Sequence, residues 1–354
     1  MSGAPARTLV RTQPLQLLRA LRQLSTQQNE SIGPYSGGHY ADVFARSVEH
    51  PEEFWAEQAK KLDWFKPWNK VLDYSQPPFC RWFVGGEQNV CHNALDRHVS
   101  AGRGSTVALI HDSPVTDSVT NVTYAQLLDK VSRFAGVLAA HGVKYGDRVL
   151  IYMPMIPETV VAMLATARLG AIHAVVFGGF AARELSVRIN HTEPKVIVCG
   201  SAGIEPQRVV PYKPVLDEAI QLSPWKPPVT ITFRRPEVKV DVPVEKGRDF
   251  DWDVEMEKVK PAPCASVLAT DPLYIIHTSG TTGMPKGVVR PSGGYSVVLP
   301  WALQTVYAVR PGETWWAASD FGWVVGHSFI CYAPLLYGVT SLIFEAGFSY
   351  FLFV

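Results

Sequence analysis

Tyr274-Ile-Ile-His-Thr-Ser-Gly-Thr-Thr-Gly-Met-Pro-Lys-Gly-Val-Val-Arg-Pro291 holds the densest chemistry of the chain. The apolar run Leu273 to Ile276 reads as a buried strand. It opens into a segment with four hydroxyl side chains (Thr278, Ser279, Thr281, Thr282), three glycines (Gly280, Gly283, Gly287) and Lys286. Glycines let backbone N–H groups turn toward an anion, hydroxyls add donors, and the lysine supplies a point charge. That is the chemistry of a phosphate cradle. It is not a Walker loop, whose second glycine stands five positions after its first and precedes Lys and Ser or Thr. Five positions after Gly280 stands Pro285, and Gly287 follows the lysine.

Around this segment the composition is that of a globular protein. The 354 residues are 47% hydrophobic and 18% charged, enough for one large domain or two ordinary ones. A net charge of +1 gives no reason to expect nucleic acid or an anionic membrane as partner. Cys80, Cys91, Cys199, Cys264 and Cys331 are scattered and odd in number, which reads as free thiols in a reducing compartment, with no metal site assigned.

The first stretch differs in kind. No acidic residue precedes Glu30, whereas Arg7, Arg11, Arg19 and Arg22 lie among Leu, Ser, Thr and Gln. Leu15, Leu17, Leu18, Leu21 and Leu24 fall near one helical face. An Arg-rich, acid-poor amphipathic start is the pattern of a mitochondrial transit peptide, here 1–24, followed by a Gly/Ser-rich linker over 25–39. Between Asp320 and Glu345 no Asp, Glu, Lys or Arg intervenes, a length sufficient to span a bilayer. Gly326, His327, Ser328, Pro334, Gly338, Thr340 and Ser341 interrupt it, so a buried helix followed by a strand is expected, with no transmembrane segment.

Apolar strands alternate with amphipathic helices through the middle of the chain. Thr123 and Gln126 form a capping box for a helix carrying Leu127, Val131, Phe134 and Leu138, closed by Gly142. Strands are expected at 149–153, 172–177, 196–199 and 229–233, and helices at 157–169 and 182–189. A further helix is expected over 295–307, and a short strand over 315–317. This alternation means an α/β fold, a parallel sheet covered on both faces.

The ordered segment T-S-G-T-T-G-x-P-K-G resembles the nucleotide-phosphate loop of the adenylate-forming enzymes, the superfamily of acyl-CoA synthetases, luciferases and peptide-synthetase adenylation domains. Within it the chain resembles the AMP-forming short-chain acyl-CoA synthetases from about Tyr40 to Glu345. His50-Pro-Glu-Glu-Phe-Trp55, Leu62-Asp-Trp-Phe-Lys-Pro-Trp68, Asn93-Ala-Leu-Asp-Arg-His98, Met153-Pro-Met-Ile-Pro157, Val176-Phe-Gly-Gly-Phe180 and Ala318-Ser-Asp-Phe-Gly-Trp-Val-Val-Gly-His327 carry the likeness. With the Arg-rich start, it points to the mitochondrial, propionate-preferring branch and to the matrix.

The resemblance implies a large N-terminal domain of mostly parallel sheets flanked by helices. It also implies ATP, CoA and Mg²⁺ with a short-chain carboxylate, joined in two steps through an acyl-adenylate. Thr278, Ser279, Gly280, Thr281, Thr282, Gly283 and Lys286 would hold the β- and γ-phosphates, with Lys286 as the catalytic electrostatic clamp. Glu205, Pro206, Gln207 and Arg208 match the Arg-rich turn that binds the CoA nucleotide, although Glu205 stands where relatives have a second arginine. Trp323, Val324 and Val325 would border the acyl group. Val325 replaces the Thr of the acetate enzymes, which leans toward a longer or more apolar acid. Arg183 and Arg188 read as structural or peripheral.

The resemblance is expected to stop at Glu345, leaving 40–345 as a partial domain without the small C-terminal domain, and 346–354 as a divergent apolar tail. A domain cut inside its sheet exposes strand edges. The expectation is therefore an impaired synthetase. The alternatives are a form that binds phosphate, CoA or a partner without turnover, or an adenylating enzyme that passes its acyl group to a carrier. The sequence carries no signal for oligomeric state.

Overall fold

The computed structural model describes residues 40–205, 208–278 and 285–345. The expected transit peptide, linker and apolar tail lie outside the described residues. Two units are distinguished, Met1–Phe44 and Ala45–Val354. Of the first, only the opening of helix α1 (Tyr40–Glu49) is described.

In the second unit, β1 (Val107–Ser113) and β2 (Ser118–Thr123) pair antiparallel and lead into α2 (Tyr124–Ala140). The capping box is made in full: the Thr123 hydroxyl accepts from Gln126 N–H, and the Gln126 side chain accepts from Thr123 N–H. Leu127, Val131, Phe134 and Leu138 are buried along one face, each such side chain contributing about 1.5–3 kcal/mol on burial. β3 (Arg148–Tyr152), α3 (Pro157–Arg168), β4 (Ile172–Val175), α4 (Ala182–Thr192) and β5 (Val196–Gly200) follow. Pro157 fits the first turn of α3, where its missing N–H leaves nothing unpaired. Gly170, at φ +68, lies just past the other end of the helix.

Beyond these come α5 (Tyr212–Leu222), β6 (Val229–Phe233), β7 (Asp249–Asp251), β8 (Pro272–Thr278) and β9 (Lys286–Pro291). The seven strands β3 to β9 form one sheet in the order β7-β6-β5-β3-β4-β8-β9. All neighbours are parallel except the last pair. Alternation along β3 shows both faces covered: Val149 and Ile151 join the core that includes α2 and α3, whereas Leu150 and Tyr152 join that of α4 and α5.

α6 (Ser292–Thr305) begins three residues before the sequence-based start. Its Ser-Gly-Gly first turn is helical because Gly293 packs on Ala269, where a Cβ would stand 2.5 Å away, and Ser292 N–H donates to Asp271 O. Such contacts outweigh glycine's poor helix propensity. β10 (Thr314–Trp316) and β11 (Thr340–Phe344) join β1 and β2 in a second sheet, ordered β10-β11-β1-β2. β11 is therefore paired on both sides, and the edge strands of this sheet are β10 and β2. Gly326–Tyr332 is π-helical and Ala333–Tyr337 α-helical, the buried helix expected before β11. No described helix is long and apolar enough to cross a membrane.

Candidate functional site

Because β3, β4, β5 and β8 are parallel, their carboxyl ends share one edge of the sheet. Ligands of open α/β sheets gather at that edge. The segments with expected roles follow these ends. After β8 comes the expected phosphate loop. Thr278 and Lys286 are register partners across β8 and β9 and both are exposed. Ser279, Gly280, Thr281, Thr282 and Gly283 lie outside the described residues. Among the described residues Lys286 has no side-chain hydrogen bond or ion pair.

After β5 the chain turns back in a short hairpin, Ala202–Glu205 against Arg208–Pro211, with Arg208 opposite Glu205. Pro206 and Gln207 lie outside the described residues. Arg208 donates to the Glu205 carboxylate at 2.8 Å from Nε and 3.3 Å from Nη2. The side chain expected to meet a phosphate thus already holds an acid.

After β4 runs Phe177-Gly-Gly-Phe180, and Trp323 is brought to it from a distant part of the chain. The Trp323 and Phe177 rings lie 5.9 Å apart at 37°. A Cβ on Gly322 would stand 2.8 Å from Phe177 N, so only glycine permits this approach. Trp323, Val324 and Val325 are 46%, 45% and 43% exposed, so Trp323 is not a core aromatic. Three adjacent large apolar side chains in solvent are the material of a binding surface. Beneath them His327 is buried, its Nδ1 3.0 Å from Trp323 O, and burial brings its pKa down to about 4, so the ring is neutral.

Two residues at this edge were missed by sequence reasoning. Tyr212 opens α5, stacks on Tyr152 at 4.7 Å, and faces both Gly178 and Gly203. It joins the turn after β4 to the hairpin after β5. Asp320 accepts from Gly322 N–H at 2.7 Å, and burial pushes its carboxyl up to about 6. It lies in Ala318-Ser-Asp-Phe-Gly-Trp323, a quoted motif in which an acid among apolar neighbours was the available signal. Arg188 is structural as expected: it is buried, donates to Glu184 and lies 4.2 Å over the Phe180 ring.

Away from this edge, Cys91, Asp96 and Cys264 gather within 4.8 Å. Arg168 Nη1 donates to Asp96 at 2.8 Å, to Cys264 Sγ at 2.9 Å and to Cys91 Sγ at 3.6 Å. The positive charge of that cluster is the guanidinium. All five cysteines are free.

Residues 96–350 match the family described as AMP-binding enzyme, and residues 40–94 match that described as acetyl-coenzyme A synthetase N-terminus. The chain belongs to the AMP-binding enzyme family. The match continues five residues past Glu345, where the resemblance was expected to stop. The Rattus norvegicus protein named acyl-CoA synthetase short-chain family member 3, mitochondrial, is 53% identical over 309 residues, 87% of this chain and 45% of its own length. The Homo sapiens protein of the same name is 53% identical over 310 residues, 88% of this chain and 45% of its own. Propionate–CoA ligase of Salmonella typhimurium is 43% identical over 311 residues, 86% of this chain and 49% of its own. The chain spans about half the length of these curated relatives.

Proposed function

We propose that this chain forms the phosphate-, CoA- and acyl-facing part of an ATP-dependent short-chain acyl-CoA synthetase, acting on propionate in the mitochondrial matrix. The observation that carries the reading is the shared sheet edge: Thr278 with Lys286, the Glu205–Arg208 hairpin, and Trp323 on Phe177 all lie beyond carboxyl ends of parallel strands. The names of the relatives support the acid and the mitochondrion, and the Arg-rich start supports import into the matrix.

A carboxylate is a poor acyl donor, so a leaving group must first be made. Attack of propionate on the α-phosphate of ATP gives an acyl-adenylate and pyrophosphate; the CoA thiol then displaces AMP. The work of the protein in the first step is positioning and charge stabilisation. Lys286, exposed and without an ion pair among the described residues, is assigned to the β- and γ-phosphates, with the hydroxyls of Thr278, Ser279, Thr281 and Thr282 and the backbone at Gly280 and Gly283 as further donors. Lys286 is a clamp, not a base. These groups are donors to phosphate and include no carboxylate, so Mg²⁺ is assigned as the companion of ATP's phosphates, not as an ion held by them.

Trp323, Val324 and Val325 supply an apolar wall for the ethyl group. Valine at 325 favours the extra methylene of propionate over acetate, worth only about 1–3 kcal/mol. Glu205, Pro206, Gln207 and Arg208 are assigned to the CoA nucleotide, with Arg208 on a phosphate.

Propionate-dependent exchange of labelled pyrophosphate into ATP tests the first step without CoA. Exchange by the full chain that Lys286→Ala lowers by about 10²-fold or more supports adenylation. Pyrophosphate binding without exchange favours the binding-only reading. Exchange indifferent to Lys286→Ala rejects the assigned role.

A further inference from the structure

His277 is the last buried side chain of β8 before the segment assigned to phosphate; it is 8% exposed, whereas Thr278 lies in solvent. Its Nε2 lies 2.9 Å from Nδ1 of His191, in the last turn of α4. The two rings meet edge-on, with centroids 5.2 Å apart at 73°. Gly287, the register partner of His277 on β9, faces the same imidazole: a Cβ there would stand 2.8 Å from His191 Cε1. One side chain from the helix layer thus touches both arms of the β8–β9 hairpin, one residue below Thr278 and Lys286. β9 is the edge of its sheet, with β8 as its only strand partner among the described residues. Edge strands open most readily, so a contact from the helix layer matters most there.

The bond needs one shared proton. Burial above all, with the Arg188 guanidinium nearby, brings His277 down to about 4, so its ring is neutral. If His277 Nε2–H donates to His191 Nδ1, the Nε2–H of His191 lies on an exposed residue. The atom left without a partner among the described residues is then His277 Nδ1, a bare lone pair, and no buried N–H is stranded.

We propose that His191 is a positioning residue for phosphate binding: its bond to His277 and its contact with Gly287 hold the two arms of the hairpin at the spacing that presents Thr278 and Lys286 to the anion. This rests on the reading of Thr278 to Lys286 as phosphate-binding.

The test uses the full chain with pyrophosphate as probe. Affinity is measured by calorimetry, and amide hydrogen exchange is followed over peptides covering 272–291. His191→Ala is expected to weaken pyrophosphate binding and to speed exchange at that hairpin by about three- to tenfold, the span of one lost neutral hydrogen bond. His191→Asn, which keeps an acceptor near the place of Nδ1, is expected to restore both to within about twofold of the starting chain. Unchanged exchange and affinity in His191→Ala overturn the proposal. So does His191→Asn behaving like His191→Ala, or faster exchange spread equally over β3 and β5, which marks general packing. Lys286→Ala separates the two ideas. If it leaves pyrophosphate affinity unchanged, the phosphate reading fails. If it abolishes binding while His191→Ala alters neither readout, the positioning role fails alone.

Discussion

The hydroxyl oxygen of Tyr212 lies where a side chain on Gly203 would begin, 2.6 Å from the position of a Cβ there. Tyr212 Cε1 and Cζ lie 2.8 Å from the same point. The ring is buried and stacked on Tyr152, so it has nowhere to retreat. Gly203→Ala is expected to cost about 1–3 kcal/mol, as overpacking does. Chemical denaturation measures it, and a change below about 0.5 kcal/mol would show that the hairpin moves freely on α5.

Glu205 competes for Arg208. The pair is exposed, with Arg208 71% and Glu205 45% accessible at the side chain, so it adds little stability. An arriving phosphate must displace the carboxylate or tolerate its charge. Glu205→Gln is expected to tighten CoA binding by about three- to tenfold, with the gain shrinking as salt rises. Calorimetric titration at two salt concentrations decides it; equal or weaker binding rejects Arg208 as the phosphate ligand.

Asp320 sets a pH dependence with a definite sign. Burial raises its carboxyl from 3.8 to about 6 in the folded chain. The folded state then holds its proton more tightly than the unfolded one. Stability from this group is fully present below about pH 3.8 and is lost as pH rises through about 6. Asp320→Asn keeps an acceptor for Gly322 N–H and does not ionise. Its advantage over the parent chain should grow between pH 4 and 7 to on the order of 2 kcal/mol. A difference flat with pH, read from denaturant unfolding at each pH, would place the carboxyl in a solvated environment.

Arg235 and Glu345 join the two large sheets. The guanidinium donates to the carboxylate at 2.5 Å and 3.1 Å, with Ser113 Oγ at 2.9 Å and His111 Nε2 at 3.2 Å from the same acid. Burial disfavours the Glu345 carboxylate, but the neighbouring His111 ring and the bonds from Arg235 and Ser113 more than offset it, and its pKa is lowered. Arg235→Met strands that charge and is expected to destabilise by about 3–5 kcal/mol, whereas adding Glu345→Leu should return most of the loss. Urea unfolding of the single and double variants measures both; a single-variant loss under about 1 kcal/mol would contradict the buried pairing.

The elements legible in sequence are those whose signal is local. The Thr123–Gln126 box, the Pro157 start and the runs at Val149, Val196 and Val229 specify their own backbone through hydrogen bonds and apolar periodicity within a few residues. Their ends are less legible: α4 continues to Thr192, where Glu193 takes φ +47, and α6 takes in Ser292 to Gly294. In α6 the deciding contact is with Ala269, outside the helix.

The candidate site divides in the same way. The order of hydroxyls, glycines and Lys286 announces phosphate chemistry by composition and spacing alone, and the motifs carry the family. Sequence order does not reveal that His191 reaches His277, that Trp323 leans on Phe177, or that Tyr212 faces Gly203. Nor does it reveal that Glu345 neutralises Arg235. Trp323 on Phe177 and Tyr212 beside Gly203 meet at the edge formed by the carboxyl ends of the parallel strands. His191 reaches His277 by packing of a crossover helix on the sheet, and Arg235 reaches Glu345 by packing of one sheet beside the other. What the sequence by itself determined was the strands and helices with a local signal and which chemistry the chain carries. Only the tertiary structure decided which side chains share a space, because packing and desolvation act between neighbours in space.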